Sequence, residues 1–331
     1  MNVLLRLNPY VRHTPWGGNV LARAYRYDTA AGAVGEVLDA SCLPDMPSIV
    51  AGGAFAGSKL GDVFKNHGPA MLGSDFRAFG GEFPFLVKRI DAGQDLSLQV
   101  HPNDALARRL EKAPCGKSEA WIVLDAEPGA AVLLGTKPGT TRDDLRRAAA
   151  VKRLTDFMIR VPVAAGDVLP VPAGCPHSIG RGIVIFEAQQ SVDLTYRLYD
   201  WDRPDKTGKL RELHLEKGLE VVDTELRPSK VEPAKLEDRA GFRRFRMVRM
   251  PQFEMQKWEI SGTVEVPTGR IVLLHGVRGS VRVAGGTSPA ERLGVGESIL
   301  VPAAVASVTL SVDAPAEVFV VIPVAADDPK A

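Results

Sequence analysis

The chain has 331 residues, 45% of them apolar and 24% charged, with 41 Lys and Arg against 40 Asp and Glu. About 150 residues per domain suggests two domains, and 32 Gly with 24 Pro are too few for a disordered chain. A net charge of +1 excludes a global field for nucleic acid or an anionic membrane, so an anionic ligand must be held by a few local cations.

Along the chain, residues 1–10 carry no apolar stretch of signal-peptide length, and no run of 18 apolar residues predicts a membrane span. Short apolar or alternating runs separated by Gly, Pro and Asp predict strands at Phe85–Ile90, Leu96–Val100, Ala120–Leu124, Ala131–Leu134, Asp167–Val171 and Gly182–Gln189. Helices are fewer. Asn103 is placed to cap a helix through Ala113, and Thr141 with Asp144 forms a capping-box pattern before Leu145–Phe157. Glu212–Val221 is a third, weaker helical patch. Residues Asp223–Gly241 lose periodicity and read as a connector. Beyond it the chain reads as all-β, with strands at Ile271–Leu274, Val281–Val283, Ser298–Val301 and Val318–Ile322. The expected architecture is mainly β, with a domain over 1–235 and a second over 236–331.

A repeat relates the two parts. Gly166, five residues, then Pro172 recurs as Gly296, five residues, then Pro302, with Ser307 at the position of His177. A metal site is therefore expected in the first domain and not in the second. In the Leu96–His101 strand, alternation puts Ser97, Gln99 and His101 on one face and Leu96, Leu98 and Val100 on the other. Gly93-x5-Gln99-x-His101 and Gly166-x5-Pro172-x-Gly174-x2-His177 together resemble the two signature motifs of the cupin superfamily, which implies a pair of jelly-roll β-barrel domains with a few short helices. Glu119 opens the next strand. Two imidazoles, a carboxylate and an amide oxygen make a four-ligand set for a divalent ion.

More closely, the chain resembles type I mannose-6-phosphate isomerases in their short bacterial form. The stretches that carry the resemblance are Pro15-Trp-Gly-Gly18, Phe85-Leu-Val-Lys-Arg-Ile-Asp91, Leu98-Gln-Val-His-Pro-Asn-Asp104, Gly116-Lys-Ser-Glu-Ala-Trp121, Pro172-Ala-Gly-Cys-Pro-His-Ser-Ile-Gly180, Glu187-Ala-Gln-Gln190, Thr195-Tyr-Arg197 and Asp200-Trp-Asp-Arg203. The resemblance implies zinc, one per chain and with other divalent ions admissible, on Gln99, His101, Glu119 and His177. It also implies a catalytic Arg197, a site lysine at Lys117, and phosphate contacts from Ser97 and Arg203. Glu187 and Asp193 share strand parity with Arg197 if one strand runs through all three, and are then candidates to orient it or to act as acid and base.

The implied activity is aldose–ketose isomerisation of mannose 6-phosphate to fructose 6-phosphate through an enediol. A non-catalytic sugar-binding cupin and an iron-dependent cupin oxygenase are the alternatives. The family's Gly-Glu-x-Trp-Glu-x-Ser stretch reads Gly35-Glu36-Val-Leu-Asp39-Ala-Ser41 here, without its Trp and with Glu shortened to Asp. His13, His67, His214 and His275 lack ligand spacing and are expected to be structural or solvated. Cys115 and Cys175 read as small buried thiols, and Arg142–Arg153 as the solvated face of a helix. Three cysteines without a CxxC pair suggest a reducing cytoplasm. The expected partner is a small sugar phosphate, with neither nucleic acid nor membrane, for a monomer or small homo-oligomer.

Overall fold

A computed structural model describes residues 1–204 and 208–325. The protein is mainly β, built from antiparallel sheets with few helices, and it divides into two compact units. Among the described residues, no helix is long and apolar enough to cross a membrane.

One unit comprises Val11–Val37 and Arg89–Val231. Its six-stranded sheet runs in the order Val168–Val171, Glu119–Ala126, Ile183–Gln189, Leu86–Ala92, Tyr10–Gly18, Val34–Ala40. Its five-stranded sheet runs Tyr196–Tyr199, Leu98–Val100, His177–Ser178, Ala131–Thr136, Met158–Pro162. Trp121, Val123, Leu169, Val171, Ile183 and Ile185 from the first sheet share a buried core with Val132, Leu134 and Ile179. The outer face of the second sheet is covered in turn. Leu98, Val100, Tyr196 and Leu198 pack with Leu145 and Ala148 of the helix Arg142–Ala150 and Leu219 of the helix Leu215–Val221. Both predicted caps form. The Asn103 side chain accepts from Leu106 N ahead of the helix Asp104–Glu111, and Thr141 and Asp144 close a reciprocal capping box. The α-helix after Thr141 stops at Ala150, and Leu154–Phe157 is a separate 3-10 turn.

The other unit comprises Met1–Tyr10, Leu38–Lys88 and Glu232–Ala331. An eight-stranded and a four-stranded sheet enclose an apolar core that includes Phe242, Trp258, Val272, Leu274, Val283, Ile299, Val308, Leu310 and Val320. The sequence division at 235/236 lies near the end of the metal-motif unit, but residues 1–10 and 38–88 group with the C-terminal segment. The reason is pairing: Leu5–Asn8 lies antiparallel to Ser298–Val301, with Leu5 opposite Leu300 and Leu7 opposite Ser298. Ala303 N also donates to Met71 O at 2.8 Å, at the end of the helix Leu60–Leu72. The expected connector is also partly a strand. Ala234–Arg239 pairs with Phe242–Arg249 as a charged, exposed hairpin, the kind of edge that resists further pairing.

The two turns of the repeat share their local geometry. Gly166 and Gly296 both have positive φ, of 94° and 75°, which glycine adopts without a Cβ clash. Asp167 Oδ2 accepts from Ala164 N, and Glu297 Oε2 from Gly294 N, each at 2.7 Å. Cys175 N donates to Pro172 O at 3.1 Å, and Val305 N to Pro302 O at 2.9 Å.

Candidate active site

Register assembles the site. In the five-stranded sheet Arg197 lies opposite Gln99, Gln99 opposite His177, and His177 opposite Leu134. Directly opposed residues in antiparallel strands point to the same face, so Arg197, Gln99 and His177 form a lateral row. In the six-stranded sheet Glu119 lies between Val171 and Gln189. The two rows meet inside the sandwich, where Glu119 Oε1 is 3.2 Å from His177 Nε2 and Glu119 Oε2 is 3.5 Å from His101 Nε2. The predicted alternation holds from Ser97 to His101, but the regular strand spans only Leu98–Val100, and Leu96 joins the inner core.

Both imidazoles are oriented from behind. His101 Nδ1 is 2.8 Å from Leu194 O, and His177 Nδ1 is 2.9 Å from Cys175 O. A carbonyl only accepts, so each ring donates from Nδ1 and turns its Nε2 toward Glu119. That arrangement is the one metal-binding histidines use. One ligand atom each from His101, Glu119 and His177 lie within 4.8 Å of one another, and all three residues are buried. Among the described residues this is the one such group.

Lys117 is the fourth member. Its Nζ lies 2.9 Å from Glu119 Oε2 and 3.1 Å from His101 Nε2, and its side chain is 4% exposed. The preceding glycine makes this approach feasible: a Cβ on Gly116 would lie 2.4 Å from Pro102 O and Asn103 C. Lys117 N donates to Pro102 O, and Ser118 N donates to Gln190 Oε1, whose amide bonds Asp104 in turn. Burial pushes the Glu119 carboxyl up, but Lys117, His101 and His177 overcome it and hold the group well below the usual carboxylate range. Burial first, then the Lys117 charge, holds the His101 imidazole well below its ordinary value. The cluster thus contains an ionised carboxylate and a neutral His101 imidazole, the protonation states a divalent ion requires.

The remaining predicted residues fall in distinct places. Ser97 Oγ donates to Gln99 Oε1 at 3.2 Å, and Gln99 Nε2 is 3.3 Å from His177 Nε2. Glu187 pairs opposite Trp121 on the inner face and accepts from its indole N–H at 3.0 Å. The Trp121 ring packs edge-on to His177 at 5.5 Å. Asp193 is half-exposed, 3.8 Å from Arg12 Nη1. The strand expected to run from Glu187 through Asp193 to Arg197 is broken. Ile183–Gln189 and Tyr196–Tyr199 lie in different sheets, so parity does not connect the three.

Arg197 is half-buried. Its main chain is clasped by His214, whose N donates to Arg197 O at 2.7 Å and whose Nδ1 accepts from Arg197 N at 3.3 Å. Its Nε is buried and has no hydrogen-bond partner among the described residues. Arg203 is more committed: Nη1 donates to Gln94 Oε1 and Asp95 O, and Nη2 to Asp200 Oδ1 at 2.8 Å. Sequence reasoning missed Arg211, which binds the same Asp200 carboxylate through Nε at 2.6 Å and also through Nη2. It immediately precedes the weak helical patch Glu212–Val221, and nothing in its spacing marks it. His275, set aside as structural, is buried with Nδ1 2.9 Å from Ser298 Oγ. Cys175 is buried, whereas Cys115 is partly exposed.

Known proteins resemble this chain along most of its length. Residues 4–118 match the family model for the phosphomannose isomerase type I catalytic domain. A mannose-6-phosphate isomerase of Streptococcus mutans is 36% identical over 272 residues, which is 82% of this chain and 84% of that protein. One of Bacillus subtilis is 34% identical over 275 residues, covering 82% and 84%. A crystal structure of the mannose 6-phosphate isomerase from Bacillus subtilis superposes with a TM-score of 0.86 at 27% identity, over 97% of this chain and 99% of that one.

Proposed function

The chain belongs to the type I phosphomannose isomerase family, and we propose that its site around Glu119 interconverts mannose 6-phosphate and fructose 6-phosphate through an enediol. The observation that carries this reading is the convergence of two imidazole Nε2 atoms on one ionised carboxylate, with Lys117 on that carboxylate and Arg197 in the row of Gln99 and His177.

His101, Glu119 and His177 would hold a divalent ion, and imidazole with carboxylate suits zinc. Gln99 would complete the set. A half-turn of its amide brings Oε1 to the His177 side and NH2 to Ser97 Oγ, which can accept. Bound zinc would polarise the sugar's carbonyl and hydroxyl oxygens, an effect on the order of several kcal/mol on developing charge.

The chain's own groups account for the rest. Lys117, buried beside the ligand carboxylate, is placed to pass a proton between the sugar's O1 and O2. Glu187, on the inner face beside Trp121, is our candidate for moving the proton between C1 and C2. A positioned acid or base contributes roughly 10²–10⁴-fold. Asp193, farther out with Arg12, is assigned a positioning role. Arg197 would stabilise negative charge on the enediol side of the substrate, while Ser97 and Arg203 lie on the side expected to meet the phosphate. Phosphate is remote from C1 and C2, so its binding energy can position the sugar. A cytoplasmic location fits a chain with three cysteines and no CxxC pair.

The test is metal analysis of the purified protein together with a coupled assay for fructose 6-phosphate. One divalent ion per chain and turnover lost on chelation are expected. A chain that binds metal and sugar phosphate without forming fructose 6-phosphate would refute the catalytic reading.

A further inference from the structure

Among the described residues, three arginines gather near the buried carboxylate of Asp200. Asp200 is 5% exposed and lies between the Arg203 and Arg211 guanidinium groups. Arg197 is the third cation. A β-bulge puts these residues together. Arg197 is opposite Gln99, but Tyr199, two residues on, is opposite Leu98 rather than Ser97. The extra residue lets Leu198 and Tyr199 both pack with the outer core and returns Asp200 to the side of Arg197. His214, bonded in both directions to the Arg197 main chain, brings the segment containing Arg211 alongside.

The three arginines differ in what they have left to give. Arg203 uses both terminal nitrogens on Gln94, Asp95 and Asp200. Arg211 uses Nε and Nη2 on Asp200. Its Nη1 has no partner among the described residues, and its side chain is 26% exposed against 13% for Arg203. Burial, then the nearby Arg211 charge, lowers the Arg197 pKa, with Asp200 and Asp193 opposing. Two like charges held close around one carboxylate are relieved by an incoming dianion.

We propose that Arg211, held in place by Asp200, is the guanidinium that donates to the substrate's phosphate, and that Arg203 is chiefly the anchor of the Asp200 carboxylate. This rests on the proposed sugar-phosphate reading of the same site and names a residue that reading does not use. Arg211 selects for the phosphorylated sugar. Arg197 serves the enediol end.

Two probes test it, inorganic phosphate and mannose 6-phosphate. In Arg211→Gln, loss of a charge-assisted contact should raise KM for mannose 6-phosphate and the inhibition constant of inorganic phosphate about tenfold or more. The kcat for mannose 6-phosphate and the kcat/KM for unphosphorylated mannose should stay within about twofold. Arg211→Lys, which keeps the charge and the Asp200 ion pair but loses the fork, should fall between, and it covers the case in which Arg211→Gln fails to fold. The proposal is overturned if Arg211→Lys binds phosphate as the wild type does, or if Arg211→Gln weakens free and phosphorylated sugars equally. Phosphate binding measured by calorimetry separates this from the function itself. A wild-type protein that binds phosphate through Arg211 but forms no fructose 6-phosphate would refute the isomerase reading and leave this one standing.

Discussion

The turn through Gly166 and the turn through Gly296 use the same parts: a glycine at positive φ, an acidic residue accepting from the amide three positions back, and a proline carbonyl receiving the third amide after it. They deliver different side chains. The first ends at His177, buried against Glu119 and braced by the Cys175 carbonyl. The second ends at Ser307, whose hydroxyl donates to Glu265 at 2.6 Å in an exposed pair. The surroundings differ too. Around His177 the interior carries Gln99, His101, Lys117 and Glu119, whereas Ser307 is partly exposed beside an apolar cluster, and the buried Asp39, Glu254 and His275 of that unit form no metal-ligating group among the described residues. A shared backbone device therefore specifies where a side chain goes, and the neighbours specify whether it does chemistry.

That contrast is open to measurement. The largest expected effect is His177→Ala, which removes one of the three proposed ligand atoms. Metal content should collapse and kcat/KM fall by about a hundredfold or more, while Ser307→Ala leaves both at wild-type levels. Equal losses from the two variants, read by metal analysis and steady-state kinetics, would dissolve the distinction. Next comes Lys117→Met. Its kcat should drop by roughly 10²–10⁴-fold with metal retained, and a variant that keeps wild-type kcat leaves Lys117 a purely electrostatic partner of Glu119.

The apolar side should respond in stability rather than chemistry. Leu274→Ala, at a fully buried position, should cost about 2–5 kcal/mol of folding stability. A lowered Tm with unchanged kcat is expected, and a changed kcat with unchanged Tm would contradict it. The smallest effect concerns Cys175. Burial pushes its thiol up to about 12, so at pH 8, far below that value, it remains protonated. Alkylation at this residue should be slow in the native protein and fast after unfolding, as peptide mapping would show.

Most of the site was readable in the sequence because its spacing is local. Gln99 and His101 are two apart on one strand, Lys117 and Glu119 two apart at the start of another, and the Gly166–His177 turn is contiguous. What stayed hidden depends on distant pairing. The joining of residues 1–10 to Ser298–Val301 leaves no periodic trace in either segment. Arg211 acquires its place only through Asp200 and His214. The parity argument for Glu187, Asp193 and Arg197 failed because a count of two assumes one unbroken strand, and the chain changes sheets after Gln189. The strand Ala234–Arg239 was missed because four of its six side chains are charged and five are exposed, so no apolar face marks it.

The two imidazoles are oriented through the main-chain oxygens of Leu194 and Cys175. A main-chain oxygen survives any substitution at its own position. The histidines are thus insulated from sequence drift behind them, as far as backbone geometry is kept. Replacing Cys175 with alanine would therefore give up a little packing in the core but leave the brace on His177 as it was.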